Sequence, residues 1–460
     1  MKDQTLTGPS PARRRAAEAL GAAAARYPDL PPLPFDTEGL TPRDARLAQA
    51  IRRVSLQRWI TLEYLLDRWL RRPGATLEPA LRGILLGGAA SLLFLDRQPA
   101  HAVVNESVTL ARKIVRPGAG GIVNAVLRRV AQAVAGRDRS KPWCPGMDRL
   151  PLEGGVCQLA KPLLPDPKTA WEEHVAVATS HPPKLVGAWQ RRFGRDAAIS
   201  LCLHGLKTPP VILAFARDGL RESGEHLLKH RSPGHAVWSG PPGALTGFLA
   251  ARSPLHVQDP TAAHPLAHDD GAGAETVLDF CAGLGTKTHQ LVCRHPTARV
   301  IAHEVDANRI AVLRRRFADR SQVQIASTLG EVRLQLPTGA DLLVLDVPCS
   351  NTGVLARRPE ARYRYHGRSL QSLIQLQRRI VHSAVPFLGT GGRLLYATCS
   401  LEEEENESQA RWIASEFGLV VKREHTTLPR GSIEDYQDGG YYAWLEAGRP
   451  LPQQEKGKLA

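Results

Sequence analysis

From Glu275 onward, short apolar runs alternate with helical stretches, and this alternation restricts the fold more than any other feature of the chain. Thr276–Phe280, Arg299–Glu304, Asp341–Val347 and Arg393–Ala397 read as strands, and Ala307–Ala318 has helical spacing. Strands that alternate with helices build a mostly parallel sheet with helices on both faces. In such a sheet ligands lie beyond the carboxyl ends of the strands. The residues that follow each strand are therefore the candidate functional residues.

The first strand runs into Cys281-Ala282-Gly283-Leu284-Gly285-Thr286-Lys287, a turn with two glycines and then a helix start. Glycines there permit close approach of the backbone to a ligand. The second strand ends in Glu304, where an acid is positioned to hydrogen-bond ribose hydroxyls. The turn is neither Gly-x-Gly-x-x-Gly nor a phosphate-cradling Gly-Lys-Ser/Thr loop. S-adenosyl-L-methionine suits such a site, because it offers a ribose to grip and no phosphate.

The third strand ends in Asp346-Val347-Pro348-Cys349-Ser350 and the fourth in Thr398-Cys399-Ser400. A cysteine at the end of an apolar strand is most often a small buried hydrophobe. Two of them at the ligand edge, each beside a serine, suit methylation at C5 of a pyrimidine. That carbon is too weak a nucleophile to take a sulfonium methyl unaided. A thiolate that adds at C6 activates it, and a base later removes the C5 proton. Asp346 is placed to favour protonation at N3 and the exocyclic amine as C6 is attacked. Spacing alone does not rank the two thiols.

The first part of the chain, about residues 12–135, reads as an all-helical bundle without a strand pattern. Thr41-Pro42-Arg43-Asp44 looks like a helix cap with proline at the first helical position. Residues 136–175 are rich in proline and glycine without periodicity and read as a linker. Residues 176–265 read as a small α/β subdomain, with helices at Leu185–Phe193 and Asp196–Leu206 and a strand at Val211–Phe215. The catalytic domain is expected over 266–460. Lys and Arg total 60 against 45 Asp and Glu, a net charge of +15, which favours a polyanionic partner. Seven scattered cysteines without zinc-ligand spacing argue against a disulfide framework and against a metal. No apolar run is long enough to span a membrane and no signal segment is evident, so a cytoplasmic protein, with a monomer favoured, is expected.

These motifs together resemble the bacterial Sun/RsmB-type ribosomal RNA cytosine-C5 methyltransferases over nearly the whole chain. The resemblance rests on Asp279–Thr288, Glu304-Val305-Asp306, Asp346–Ser350, Arg357-Arg358-Pro359-Glu360, Tyr396–Ser400, Glu405-Asn406 and Asp438–Ala443. The N-terminal part resembles the NusB-like helical domain of the same proteins through Ile84–Leu95, Ala100–Glu106 and Val123–Arg129. The resemblance implies a Rossmann-like class I methyltransferase that uses S-adenosylmethionine. It implies an RNA substrate, most of all 16S ribosomal RNA, with RNA binding by the helical domain. It makes Cys399 the nucleophile, Cys349 the residue that assists product release, and Asp346 the residue where cofactor and base meet. It assigns Cys281–Lys287 to the cofactor loop and Glu304 to the ribose.

Three positions depart from the family pattern. Gly283-Leu284-Gly285-Thr286 replaces the centre of its Cys-Ala-Ala-Pro-Gly-Gly-Lys-Thr loop. Ser327 stands where an acid approaches the adenine, and Ala214-Phe215-Ala216 stands for an Arg-x-Asn pair. The rival reading is a ribosome-assembly protein with a degenerate methyltransferase domain, and retention of both thiols weighs against it. A class I methyltransferase acting on another base or on a protein would leave the paired cysteines without work.

Overall fold

The computed structural model describes residues 10–30, 35–96, 98–215, 225–251, 255–267, 269 and 273–447. The chain divides into two compact units. One comprises Met1–Thr208 and Leu355–His366, the other Pro209–Val354 and Gly367–Ala460.

The first unit begins with six helices: α1 (Pro11–Ala24), α2 (Pro42–Gln57), α3 (Trp59–Asp67), α4 (Pro79–Phe94), α5 (Ala100–Ile114) and α6 (Ala119–Ala133). Thr41 caps α2 as its sequence predicts, its hydroxyl accepting from the Asp44 N–H at 3.1 Å. From Leu81 to Phe94 every residue of α4 is buried, the arrangement expected of a helix without a polar face. Gly83 brings α4 against α1: a Cβ there would lie 2.5 Å from the Gly21 nitrogen.

The stretch expected to be a linker is structured. β1 (Val134–Asp138), β2 (Arg149–Leu152) and β3 (Gly155–Leu159) form an antiparallel sheet in the order β1-β3-β2. Leu150, Leu152, Cys157 and Leu159 join the same core as the helices. The strands are four or five residues long and β2 contains Pro151, so neither length nor period announces them. Helices α7 (Trp171–Thr179), α8 (Pro183–Phe193) and α9 (Arg195–His204) continue this unit, so the expected boundary near residue 176 does not divide it.

The last piece of the first unit is a single helical turn, Pro359–Arg364, from far along the chain. The Arg362 guanidinium is fully buried and, among the described residues, forms no ion pair with a carboxylate, although the Glu360 charge acts on it from a distance. Its Nη1 donates to the Gln57 and Ser180 carbonyls at 3.3 and 3.4 Å, and its Nη2 to Gly205 at 2.7 Å and Leu355 at 3.3 Å. Gln57, Ser180 and Gly205 lie at the carboxyl ends of α2, α7 and α9. Three helix dipoles therefore point their negative ends at one cation, which is how a buried charge is tolerated here. Next to it the Tyr363 hydroxyl donates to the Leu56 carbonyl and accepts from the Trp59 N–H.

The second unit opens with a four-stranded sheet, order β5-β6-β4-β7, made of β4 (Ile212–Ala214), β5 (Leu227–Lys229), β6 (His235–Trp238) and β7 (His256–Val257). Ala214 is a buried residue of β4 opposite His235 and His256, whereas Ala216 lies outside the described residues. Helices α10 (Leu245–Ala250) and α11 (Pro260–Ala267) belong to this region.

The main sheet holds β8 (Thr276–Asp279), β9 (Arg299–His303), β10 (Val323–Ala326), β11 (Ala340–Asp346), β12 (Leu388–Thr398), β13 (Leu419–Thr427) and β14 (Gly440–Ala447). Its order is β10-β9-β8-β11-β12-β14-β13. The pairs from β10 to β12 are parallel, while β14 runs antiparallel to both its neighbours. Helices α12 (Thr286–Arg294), α13 (Ala307–Arg316), α14 (Leu329–Gln335), α15 (Gly367–Ala384) and α16 (Glu407–Phe417) connect the strands. Two apolar clusters bury the sheet, one containing Leu278, Leu343 and Leu345 and the other Val277, Leu342 and Val344, so alternate residues of each strand point to opposite faces. This is the Rossmann-like architecture expected from the alternation. The order reverses between β8 and β11, the switch point where a ligand crevice forms.

Candidate active site

The loop after β8 is shaped by its glycines. Gly283 and Gly285 have φ of 58° and 81°, in the left-handed region that glycine adopts freely. At Gly285 a Cβ would also lie 2.6 Å from the Phe317 ring. Glu304, just past β9, reaches back to this loop. One carboxylate oxygen accepts from the Gly283 N–H at 3.0 Å, the other from Val305 and Asp306 N–H at 2.8 and 3.0 Å. Three backbone donors thus orient an acid that is almost fully buried, and the Arg309 guanidinium stands 3.5 Å from the oxygen that meets Gly283. Leu284 and Val305 are 56% and 76% exposed beside it, apolar surface that a nucleoside would cover. The residues present therefore suit a ribose-bearing cofactor.

Ser327, just beyond β10, does not stand open. Its N–H and hydroxyl both donate to the Glu331 carboxylate at 2.6 and 3.0 Å. Those bonds hold the Glu331 carboxyl below its usual range. The Glu331 carboxylate, four residues further along the chain, thus lies within hydrogen-bond reach of position 327.

Asp279 ends β8 fully buried, with one oxygen accepting from the Thr288 hydroxyl at 2.7 Å and the other without a partner. Burial, opposed by the Thr288 bond, pushes its carboxyl up to about 6. The folded protein then holds this proton more tightly than the unfolded chain. That contribution to stability is complete below about pH 4 and is lost as the pH rises toward 6, to the extent of about 3 kcal/mol. Asp279→Asn is expected to remove this dependence. Urea midpoints of both proteins between pH 4 and 7 check it, and parallel curves would refute it.

The chemistry-bearing side chains meet at the ends of β11 and β12. Asp346 forms an ion pair with Lys287 at 2.9 Å. Burial alone would lower the Lys287 ammonium, but Asp346, Asp279 and Cys399 reverse this and the net shift is upward. The Cys349 and Cys399 sulfurs lie 3.3 Å apart. Cys399 lines a cavity of about 120 Å³ together with Lys287 and Asp346, and Asp259 and Asp438 face the same space. Cys349 is buried and does not line it. Its hydrogen bond to Cys399, then burial, then the Cys399 charge push the Cys349 thiol well above its ordinary value. Cys281 is likewise held protonated by burial. Among the described residues no group of three His, Cys, Asp or Glu is placed to hold a metal, and no helix is long and apolar enough to cross a membrane.

A buried network locks the two cysteine loops together. Asn351 adopts φ of 61°, unusual for a residue with a side chain, and its amide spans both loops. Its Nδ2 donates to the Cys349 carbonyl at 2.8 Å, and its Oδ1 accepts from the Cys399 thiol at 3.3 Å. The Ser350 and Ser400 hydroxyls meet at 3.0 Å, and Gly353 N–H donates to the Cys399 carbonyl at 2.9 Å. Beneath them the Glu405 carboxylate accepts from the Ser350 N–H and hydroxyl and from Gln377. The motif reading singled out Glu405-Asn406 without a role, and it did not find Asn351 or Gln377.

Comparison with known proteins places these features in context. Residues 269–438 match the family described as 16S rRNA methyltransferase RsmB/F, and residues 11–132 match the NusB family. The ribosomal RNA small subunit methyltransferase B of Erwinia tasmaniensis is 30% identical over 433 residues, covering 90% of this chain and 93% of that protein. The proteins of the same description from Xanthomonas campestris and Pseudomonas putida are 29% and 28% identical. They cover 88% and 94% of this chain and 89% and 98% of their own lengths. The crystal structure of PH0851 has the same fold, with a TM-score of 0.66 at 19% identity, covering 94% of this chain and 98% of that one.

Proposed function

Because the chain belongs to the RsmB/F family of 16S rRNA methyltransferases, we propose that it methylates C5 of a cytosine in 16S ribosomal RNA through a covalent bond between Cys399 and C6. Methylation of ribosomal RNA with S-adenosylmethionine is the activity of the family; the base, the atom and the residue roles are the proposal. The observation that carries it is the pair of thiols 3.3 Å apart, with Cys399 on the cavity and Cys349 behind it.

Bound S-adenosylmethionine, held by residues 281–287 and Glu304, supplies an electrophilic methyl group. Cys399 adds to C6 as its thiol proton passes to the Asp346 carboxylate, which is paired with Lys287 and hands that proton on to N3. The electron pair this leaves at C5 bonds the methyl carbon as the bond from that carbon to the sulfonium sulfur breaks, with S-adenosylhomocysteine as the leaving group. The C5 proton must then leave and the C6–S bond must break. Cys349, which keeps its own proton, gives it to the departing Cys399 sulfur and receives the C5 proton in its place. Both thiols are restored, and the N3 proton returns to solvent. The target base must leave its stack to reach the cavity, which suits an unpaired nucleotide. The cytoplasm is the compartment proposed for this reaction.

Bisulfite sequencing of ribosomal RNA from a deletion strain and its parent tests the function. One cytosine is expected to lose protection only in the deletion; an unchanged pattern would remove the assignment. Glu304→Ala is expected to weaken cofactor binding by about 1–3 kcal/mol, because a charge-assisted acceptor and the clamp on Gly283 are lost together. Calorimetry with S-adenosylmethionine measures this, and unchanged affinity would exclude Glu304 from the site. RNA affinity is expected to fall steeply with salt, since a chain of net charge +15 displaces condensed counterions. A log–log salt slope near zero would contradict an electrostatic RNA surface.

A further inference from the structure

One face of β13 and β14 borders the cavity around Cys399. Thr427 and Tyr442 line the cavity itself. His425 is the cross-strand partner of Tyr442, and Arg423 is the partner of Trp444. Residues two apart on a strand share a face, so Arg423, His425 and Thr427 form one row leading to the cavity. His264 of α11 completes the surface. Its ring lies 5.3 Å from His425 and 5.5 Å from Tyr442, and the His425 and Tyr442 rings are 6.0 Å apart. His425 and Arg423 are exposed, whereas Tyr442 is buried beneath them. Burial raises the Tyr442 phenol, and the charge of Arg423, on the same face of the neighbouring strand, opposes this. The neighbouring acid, Glu424, bonds the Tyr441 hydroxyl instead.

We propose that this row is a platform for one unpaired ribonucleotide next to the target cytosine, with its base stacked on His425 and its phosphate on Arg423. The proposal rests on the reading of the cavity as the cytosine site. Several features favour a nucleotide over a peptide. The rings form a tilted cluster capped by an exposed imidazole, a cation stands at the outer end, and no acid joins the row. Single-stranded RNA is bound in general by aromatic faces that stack bases and cations that meet the backbone. Continuity with the cavity sets the register: a base flipped to Cys399 leaves its neighbour on the chain at the cavity mouth.

The test uses the full-length protein and a ribosomal RNA fragment containing the cytosine that bisulfite sequencing identifies. That fragment is made intact, and with an abasic nucleotide on the 5′ or the 3′ side of the target. The wild-type protein is expected to bind one of the abasic fragments roughly 10-fold more weakly than the intact RNA, the size of a lost stacking contact. His425→Ala is expected to raise KM for the intact fragment by a similar factor at unchanged kcat and to erase the preference. His425→Phe is expected to retain it. Arg423→Gln is expected to lower the salt slope of binding by about one. Equal binding of all three fragments by the wild-type protein, or a preference that survives in His425→Ala, overturns the platform while leaving the methyltransferase reading intact. Failure of the wild-type protein to methylate the intact fragment refutes that reading instead.

Discussion

Cys349→Ala is expected to accumulate a covalent protein–RNA adduct that survives denaturing electrophoresis, while Cys399→Ala gives none and loses turnover by on the order of 10⁴-fold or more. The asymmetry follows from position. Cys399 borders the cavity and Cys349 lies behind it, holding its proton because of the hydrogen bond to Cys399 and its burial. With Cys349 gone, attack at C6 and methylation of C5 proceed, but the departing sulfur has no acid and the C5 proton no acceptor. Release is then slow, and the intermediate persists. If the thiols serve only packing, alanine at either position lowers stability and some activity without an adduct. An adduct trapped in Cys399→Ala would reverse the assignment and keep the chemistry. Full methylation by Cys399→Ala without any adduct would falsify covalent catalysis here.

Arg362→Met is expected to destabilise the first unit by about 3–5 kcal/mol, although the substitution preserves much of the apolar stem. The loss is not that of a salt bridge, since the guanidinium spends its hydrogen bonds on carbonyls. Four carbonyls, three of them at helix carboxyl ends, would be left buried without their donor. Arg362→Lys is expected to recover only part of this, because one ammonium cannot reproduce the geometry of the planar fork. Urea denaturation followed by tryptophan fluorescence reads the effect, since Trp59 lies in this core. A midpoint within error of wild type for Arg362→Met would show that the carbonyls find water and that the dipole argument fails.

The parts of the fold legible in the sequence are those set by local pattern. The cap at Thr41, the largely apolar α4 and the runs that became β8, β9, β11 and β12 each show their period or their punctuation. β10 and β13 were harder to find: β10 is largely half-buried, and much of β13 is exposed on the sheet edge, so neither carries a strong apolar signal. Residues 136–175 hide a sheet because a proline sits inside one short strand and the connections are rich in proline and glycine. At the active site, the strand ends by themselves bring Asp346, Cys349, Cys399 and Glu304 to one edge of the sheet. Sequence could not rank the thiols, since burial behind Cys399 depends on how two loops 50 residues apart interlock. Nor could it show that Glu331 turns back on Ser327, or that Asn351 joins both loops.

The turn at residues 359–364 also bears on the order of events during synthesis. The first unit lacks its final piece until residue 366 has been made, 158 residues after Thr208 (366 − 208). At ribosomal speeds of about 5–20 residues per second, that is a delay of roughly 8–32 s. Through that interval the carboxyl ends of α2, α7 and α9 converge on a socket that only water can fill. The nascent helical unit is then a substrate for proteases and holdases in a way the finished protein is not. Its completion waits on a segment encoded between the two cysteines of the active site, so the N-terminal unit reaches its final form only after Cys349 has been built into the chain.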